Sequence, residues 1–471
     1  MTKTKSLSWT GRGLRSLIAV GMLAATAVVS GAVPPFGVPA ASAALGAGGE
    51  YHPVTPARVL DTRQPTSSPT GARGFGAANA FDVQIVGATS ISGAPSGIPA
   101  SDVLAVVATI TVAGTNRSGY LSAYPSGTAL PNASNLNFKA GQDASNLAVL
   151  RPGANGKISI DLETDGSAPA AGGTTQVLID VLGWFSTSTS GVRGARLISL
   201  APARVLDTRT GVGHAGSLGA GEQIDLTIRG IDSANPPHTD YVPNDPNVTG
   251  VILNVTATGP TQTTFISLQP DAFTGFPSTS TVNLLANQTK ANLVMVPVDA
   301  SGKVRIYNAS GNVQVLADVV GYFVNGVNDE SRTGRIVPIS SPFRALDTRV
   351  GTTARRLGAG QAEPWDFTGF VQSVKLGGVP VGDVDSLLMN LTVADLYFPY
   401  DVPRKDTFLT VYPGPDGSPR PDASALNVIN KDQGAVPNFD VARLSTNNVL
   451  NVYNDNGFVN YLADVAAVVL R

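Results

Sequence analysis

At 471 residues the chain is long enough for about three ordinary domains, and with 42% apolar residues each can bury a core. Only 14% of residues are charged, against ~25% in ordinary soluble domains, and 51 Gly and 33 Pro mark frequent turns, so short strands are favoured over long charged helices. A net charge of -2 gives no electrostatic pull toward nucleic acid or an anionic membrane, and the absence of cysteine excludes disulfides and thiolate metal sites.

The chain opens with Lys3, Lys5, Arg12 and Arg15, followed by an uncharged run over 16–33 and the small-x-small tripeptide Ala-Ser-Ala at 41–43. This is the pattern of a secretory signal peptide over 1–43, cut near Ala43 and followed by a linker at 44–50. The alternative is an uncleaved anchor, for which the run is close to the minimum length that spans a bilayer. No later segment is long and apolar enough to span. The expected location is therefore extracellular, in association with the cell wall, with no membrane span after cleavage.

Beyond the linker the chain repeats itself. The heptapeptide Ala-Arg-Val-Leu-Asp-Thr-Arg occurs at 57–63 and 203–209, and Phe-Arg-Ala-Leu-Asp-Thr-Arg follows at 343–349. Four more blocks trail each heptad in fixed order. They begin at Ala108, Leu253 and Met389, then at Ser134, Ser280 and Ser424. The next begin at Gly156, Gly302 and Asn448, and the last at Val177, Val315 and Tyr461. The blocks are short, rich in Val, Ile, Leu and Thr, and bounded by Gly, Pro, Asn and Asp, as strands are. The closing block is apolar on both faces, which places it centrally in a sheet. The spacing predicts an all-β chain of three tandem, jelly-roll-like β-sandwich domains at 51–190, 191–330 and 331–471, the last divergent. Short polar linkers at 186–196 and 324–335 separate them. The stretch 463–471 reads as a strand with no sorting motif or apolar tail.

The opening heptad together with the Asp-Val-Val-Gly-Tyr-Phe closing at 318–323 resembles a repeat of secreted actinobacterial proteins. Such repeats stand alone or are attached to exported enzymes, including cell-wall hydrolases of the amidase type. The resemblance covers 51–471 and implies an envelope-associated or extracellular module. It implies no catalytic activity. The third copy departs from it by lacking the Gly-aromatic-aromatic ending.

Few charges recur in all three copies. They are Arg58, Asp61 and Arg63; Arg204, Asp207 and Arg209; Arg344, Asp347 and Arg349; and the closing aspartates Asp180, Asp318 and Asp464. A mid-strand carboxylate among apolar neighbours is costly to desolvate unless a guanidinium binds it. An internal Arg–Asp network is therefore expected, each closing aspartate lying beside a heptad arginine of its own copy. A paired-carboxylate active site is the alternative. Recurring asparagines such as Asn137 and Asn146 suit capping of backbone groups at turns. A calcium site of Asn and Asp oxygens is the rival, weakened because no acidic cluster recurs with them.

Other chemistry is thin. The histidines, His52, His214 and His238, and the five glutamates, Glu50 among them, all lie outside the blocks. No metal site, cofactor site or catalytic triad is called for. Tyr124, Trp184, Tyr322 and Tyr412 are candidate ligand contacts if exposed and core residues if buried. The sequence thus points to a non-catalytic secreted protein that presents surface as an adhesion or binding component. Its expected ligand is a cell-wall glycan, peptidoglycan or a surface polysaccharide. The alternative is an extracellular hydrolase with its site on one diverged repeat.

Overall fold

In the computed structural model of the chain, the described residues are 48–471 less 167–171, 188–189, 233–241, 271–276, 278, 328–330, 351–354, 369–378, 400–402, 404, 416–417 and 430–433. The signal-peptide reading of 1–43, and the linker up to residue 47, lie outside them. Among the described residues there is no α-helix, and so none long and apolar enough to cross a membrane.

The first repeat supplies β1 (Tyr51–Asp61), β2 (Arg73–Gly74), β3 (Phe81–Gln84), β4 (Val103–Ala113), β5 (Gly119–Pro125), β6 (Leu136–Phe138), β7 (Ala144–Leu150), β8 (Lys157–Thr164) and β9 (Thr174–Ser186). The second supplies β10 (Arg196–Asp207), β11 (Gln223–Thr227), β12 (Val248–Thr258), β13 (Thr264–Gln269), β14 (Val282–Leu284), β15 (Thr289–Pro297), β16 (Lys303–Asn308) and β17 (Gln314–Val324). The third supplies β18 (Ile336–Asp347), β19 (Gln361–Asp366), β20 (Val384–Tyr397), β21 (Thr407–Pro413), β22 (Leu426–Val428), β23 (Val436–Arg443), β24 (Val449–Asn454) and β25 (Phe458–Leu470).

These strands pair antiparallel into six sheets, two per repeat. The larger sheets run β1-β9-β4-β7, with β2 added on β9, then β10-β17-β12-β15 and β18-β25-β20-β23. The smaller run β3-β8-β5-β6, β11-β16-β13-β14 and β19-β24-β21-β22. At one edge of every sheet lies a strand that packs against its counterparts in the two neighbouring sheets. The contacts run β7 to β6, β6 to β23, β23 to β22, β22 to β15, β15 to β14 and β14 back to β7, so the ring closes.

The three tandem jelly-roll-like β-sandwiches expected from the sequence are therefore corrected to a six-bladed β-propeller in one compact unit, each repeat giving two blades. The error has a physical origin. A period of two in hydrophobicity tells which side chains turn inward, but not which sheet covers them. Here the two blades of a repeat enclose one core, centred on Ile110 and Ile160 in the first copy. A further core draws Phe185, Phe323 and Phe439 from all three repeats. The leading segments complete the closure: Gly49 N donates to Ile336 O (2.8 Å) and Tyr51 N to Ala195 O (2.7 Å), linking the first repeat to both others. Between them Glu50 is buried and meets Arg335 at 3.1 Å, Arg196 at 3.3 Å and Arg193 at 3.4 Å.

The shared core explains why the third copy lost its Gly-aromatic-aromatic ending. The Tyr51 ring stacks on Phe323, with centroids 4.1 Å apart, and lies against Gly183 so closely that a Cβ there would stand 2.5 Å from ring atoms. In the third copy Ile336 pairs with Val469 as Tyr51 pairs with Phe185, so an aliphatic side chain stands in place of the tyrosine, and Ala467 takes the glycine's place. Gly183→Ala is expected to destabilise the protein by about 1–3 kcal/mol through overpacking. Urea unfolding should show most of that loss restored when Tyr51→Val is added. An unchanged midpoint in the single variant would refute the steric account.

Candidate functional site at the repeat junctions

Each closing aspartate sits directly opposite a heptad arginine: Asp180 faces Arg58, Asp318 faces Arg204 and Asp464 faces Arg344. The contact is a fork. Arg58 donates from Nε and Nη2 to the two Asp180 oxygens at 2.8 and 2.9 Å, and Arg344 does the same to Asp464 at 2.9 Å each. Arg204 Nε binds Asp318 Oδ1, and its Nη2 reaches Oδ2 at 3.2 Å. The heptad aspartate extends the chain of charges. Arg58 Nη1 reaches Asp61 at 3.3 Å, while Arg63 forks onto Asp61 at 2.8 and 2.7 Å. Asp207 is held likewise by Arg204 and Arg209, and Asp347 by Arg344 and Arg349.

Burial pushes the carboxyls of Asp180, Asp318 and Asp464 up, against the pull of their arginines. Burial would also raise Asp61, but Arg63 and Arg58 hold it below the usual carboxylate range. The network crosses between repeats. Ser424 N donates to Asp318 Oδ2 at 3.1 Å, and Ser134 N points at Asp464 Oδ2 at 3.4 Å.

The recurring asparagines do the same work along the ring axis. Asn146 Nδ2 donates to Asn390 Oδ1 (2.8 Å) and Asn135 O (2.7 Å), and its Oδ1 accepts from Phe439 N (3.0 Å). Asn438 repeats the pattern with Asn254 Oδ1 (2.8 Å), Ala425 O (2.6 Å) and Leu293 N (3.2 Å). At the remaining junction Thr109 stands where the other copies have Asn254 and Asn390, and Asn292 Oδ1 has no partner. Apart from Asn292 Oδ1, these amide atoms are satisfied by protein groups. Among the described residues no three His, Cys, Asp or Glu side chains gather as a metal site.

Clefts lie where one repeat's heptad arginines face the next repeat's Ser-containing block. One, about 460 Å³, joins the first and third repeats and is walled by Tyr120, Leu130, Asn132, Asn137, Arg349 and Thr392. Its counterpart between the second and third repeats holds about 160 Å³, with Phe408, Asp422, Asn427, Arg209 and Thr256 at matching positions. The depression on the ring axis, about 70 Å³, has room for little more than water.

The four aromatic candidates lie elsewhere. Tyr124, Trp184 and Tyr412 are buried, and Trp184 stacks on His52 with centroids 4.1 Å apart. Tyr322 is half-buried against the second repeat's core. None of the four lines the large cleft. Of the charged candidates, Arg344 and Arg349 do. Tyr120, Leu130 and Asn132 escaped sequence reasoning because they fall just outside the repeated blocks. Aligning Leu130-Pro131-Asn132 with Arg420-Pro421-Asp422 on the shared proline would have exposed the difference.

The sequence matches no protein-family model and no curated protein. Among solved structures, the tandem CBM22-1–CBM22-2 domains of Xyn10C from Paenibacillus barcinonensis align over 57% of this chain and 98% of theirs, at 11% identity and a TM-score of 0.16. A structure of Sulfolobus turreted icosahedral virus aligns over 90% of both chains at 9% identity, with a TM-score of 0.15. Scores this low support no inference.

Two groups lend themselves to stability measurements. Asp318→Ala removes the fork on Arg204 in the sheet interior and leaves it only Asp207, and the expected cost is up to about 3–5 kcal/mol. Because Ser424 docks on the same carboxylate, the whole ring should unfold in one transition moved to lower urea. A separate transition for the middle repeat alone would contradict the coupling.

Asp440 is the second group. It is buried where the other repeats have Ala148 and Val294, and burial pushes it up to about 7, opposed only by a hydrogen bond from Val441 N (2.8 Å). An unfolded aspartate ionises near pH 4. Between that pH and about 7 the unfolded chain has shed the proton that the folded chain retains. This group's contribution is therefore complete at low pH and falls by about 1.4 kcal/mol per unit until pH 7. Asp440→Asn should lack the decline, so the difference between variant and parent in urea should grow from pH 4 to 7. A constant difference would show that Asp440 is ionised in the fold.

Proposed function

We propose that this protein is a non-catalytic, secreted component of the cell envelope that binds carbohydrate at the junction of its first and third repeats. The observation that carries the proposal is the large cleft itself. Its volume, about 460 Å³, falls within the range of small-ligand sites, and it combines an aromatic ring with converging amide and hydroxyl groups. Sugars present apolar C–H faces beside hydroxyls, and such a wall complements both. The resemblance of the repeats to secreted envelope modules, and the signal-like N-terminus, support an extracellular setting.

The hydrolase reading rests on one observation. Burial and the neighbouring Glu163 raise the Asp161 carboxyl, the sort of shift a general acid uses. Asp161 is only 2% exposed and does not line the cleft. Binding without turnover is the better reading. Secreted protein mixed with purified cell wall should co-sediment with the insoluble glycan and release no soluble reducing sugar over hours. Protein left in the supernatant would overturn the binding proposal. Steady sugar release would replace it with the hydrolase.

A further inference from the structure

We infer that the junction of the first and third repeats is a ligand site, and that its ligand is a neutral, hydroxyl-bearing saccharide held by Thr392, Asn137, Tyr120 and Leu130. The inference rests on the carbohydrate reading above and adds which junction binds and which charge type it accepts. Its basis is a difference in hydrogen bonding between equivalent positions.

Between the second and third repeats, Asn427 Nδ2 donates to Thr256 Oγ1 (3.3 Å) and Ser424 Oγ (3.1 Å), and both sides of the junction are satisfied. At the junction of the second and first, Asn283 Nδ2 reaches Ser280 Oγ (3.0 Å) and, on β7 opposite Thr111, the counterpart of Thr256, Ser145 Oγ (3.3 Å). At the junction of the first and third, Asn137 meets only Ser134 Oγ (3.0 Å), within its own repeat. Thr392, the counterpart of Thr256, is 2% exposed, and its Oγ1 has no partner. A buried hydroxyl without a partner costs about 1–3 kcal/mol. This one lines the cleft. A ligand hydroxyl seated there would satisfy both Thr392 and the outer amide atom of Asn137.

The mouth differs in the same sense. Over Phe408, the residue matching Tyr120, lies the guanidinium of Arg420, 5.8 Å from that ring's centroid and 4.4 Å from that of Tyr453. A cation on a ring face takes the place where a sugar would stack. The matching residue in the open cleft is Leu130, 42% exposed, so that position carries an apolar side chain in place of a guanidinium. The arginines do not make the cleft an anion site. Arg344 is forked by Asp464 and Arg349 by Asp347.

The test is calorimetric titration of the secreted protein with three probes: chitotetraose, cellotetraose and the anionic tetramer of galacturonic acid. A neutral tetramer should bind at one site per chain, and the anionic tetramer more weakly. Thr392→Val should weaken the neutral ligand about three- to tenfold, the value of one hydrogen bond, while leaving the unfolding midpoint unchanged or raised. Leu130→Arg, at the surface, should weaken it at least tenfold. Thr256→Val, in the smaller cleft, should leave affinity unaltered. Binding of a neutral tetramer that neither Thr392→Val nor Leu130→Arg weakens would overturn the assignment to this cleft yet keep the carbohydrate reading. Preference for the anionic tetramer would overturn the charge assignment. No binding of any saccharide would remove the carbohydrate reading itself.

Discussion

A carboxylate in the middle of a sheet is the constraint around which each repeat is organised. Asp180, Asp318 and Asp464 occupy the second strand of the larger sheets, where water is excluded, and an ionised group there is untenable without a fixed counter-charge. The heptad supplies one from the adjacent strand, and the fork of a guanidinium tolerates a narrow range of placements. A slip of one residue between β1 and β9 would carry Arg58 to the opposite face and leave Asp180 bare. The pair therefore pins register as much as it adds energy, since desolvation offsets most of its Coulomb gain. Where Ser424 N also binds Asp318, the same carboxylate fixes how the next repeat docks. Register within a blade and docking between blades share one atom group.

Closure follows from the same economy. Each smaller sheet has one face against its own repeat, and its other face meets the arginines and threonines of a neighbour. A single repeat in isolation would expose that second face along with its share of the core around Phe185 and Phe323. Closing six sheets on themselves covers all of these at once. Gly49, Tyr51 and Ala195 complete the circuit through backbone hydrogen bonds, and buried Glu50 draws three arginines from the second and third repeats to the seam.

The parts of this design that recur were legible in the sequence; the parts that occur once were not. Five blocks in register exposed the repeat unit, and alternation marked the strands. Three-fold recurrence in a charge-poor chain singled out the heptad arginines and the two sets of aspartates. The neighbour that covers each blade left no trace, because a sandwich and a propeller blade bury the same alternate residues. Glu50 was passed over for lying outside the blocks, although the residues at the matching positions, Arg196 and Arg335, are ones it binds at the seam. Asp440 interrupts an apolar strand in one copy only, and periodicity treats such a break as noise. The cleft wall was hidden for a related reason: Leu130 and Asn132 belong to a loop, where copies diverge, so a search for similarity discards the positions at which a site can arise.

That divergence makes sense of which features are uniform and which are not. The Arg–Asp forks and the axial amides hold the two walls of every junction in fixed relation, so the loops above them can vary without disturbing register. At two junctions the recurring asparagine finds a hydroxyl across the junction: Asn427 on Thr256, and Asn283 on Ser145. At the third, Thr392 is left unpartnered at the base of a cleft whose walls come from different repeats. A rigid frame is what allows that deficit to persist, since a pliant one would relax until the hydroxyl found a protein acceptor. An unsatisfied group on a preorganised wall is thermodynamically a debit in the free protein and a gain on binding. Triplication supplied three equivalent walls, and stability required only that most of their polar groups be paired. The remaining one is free to carry a function the others do not share.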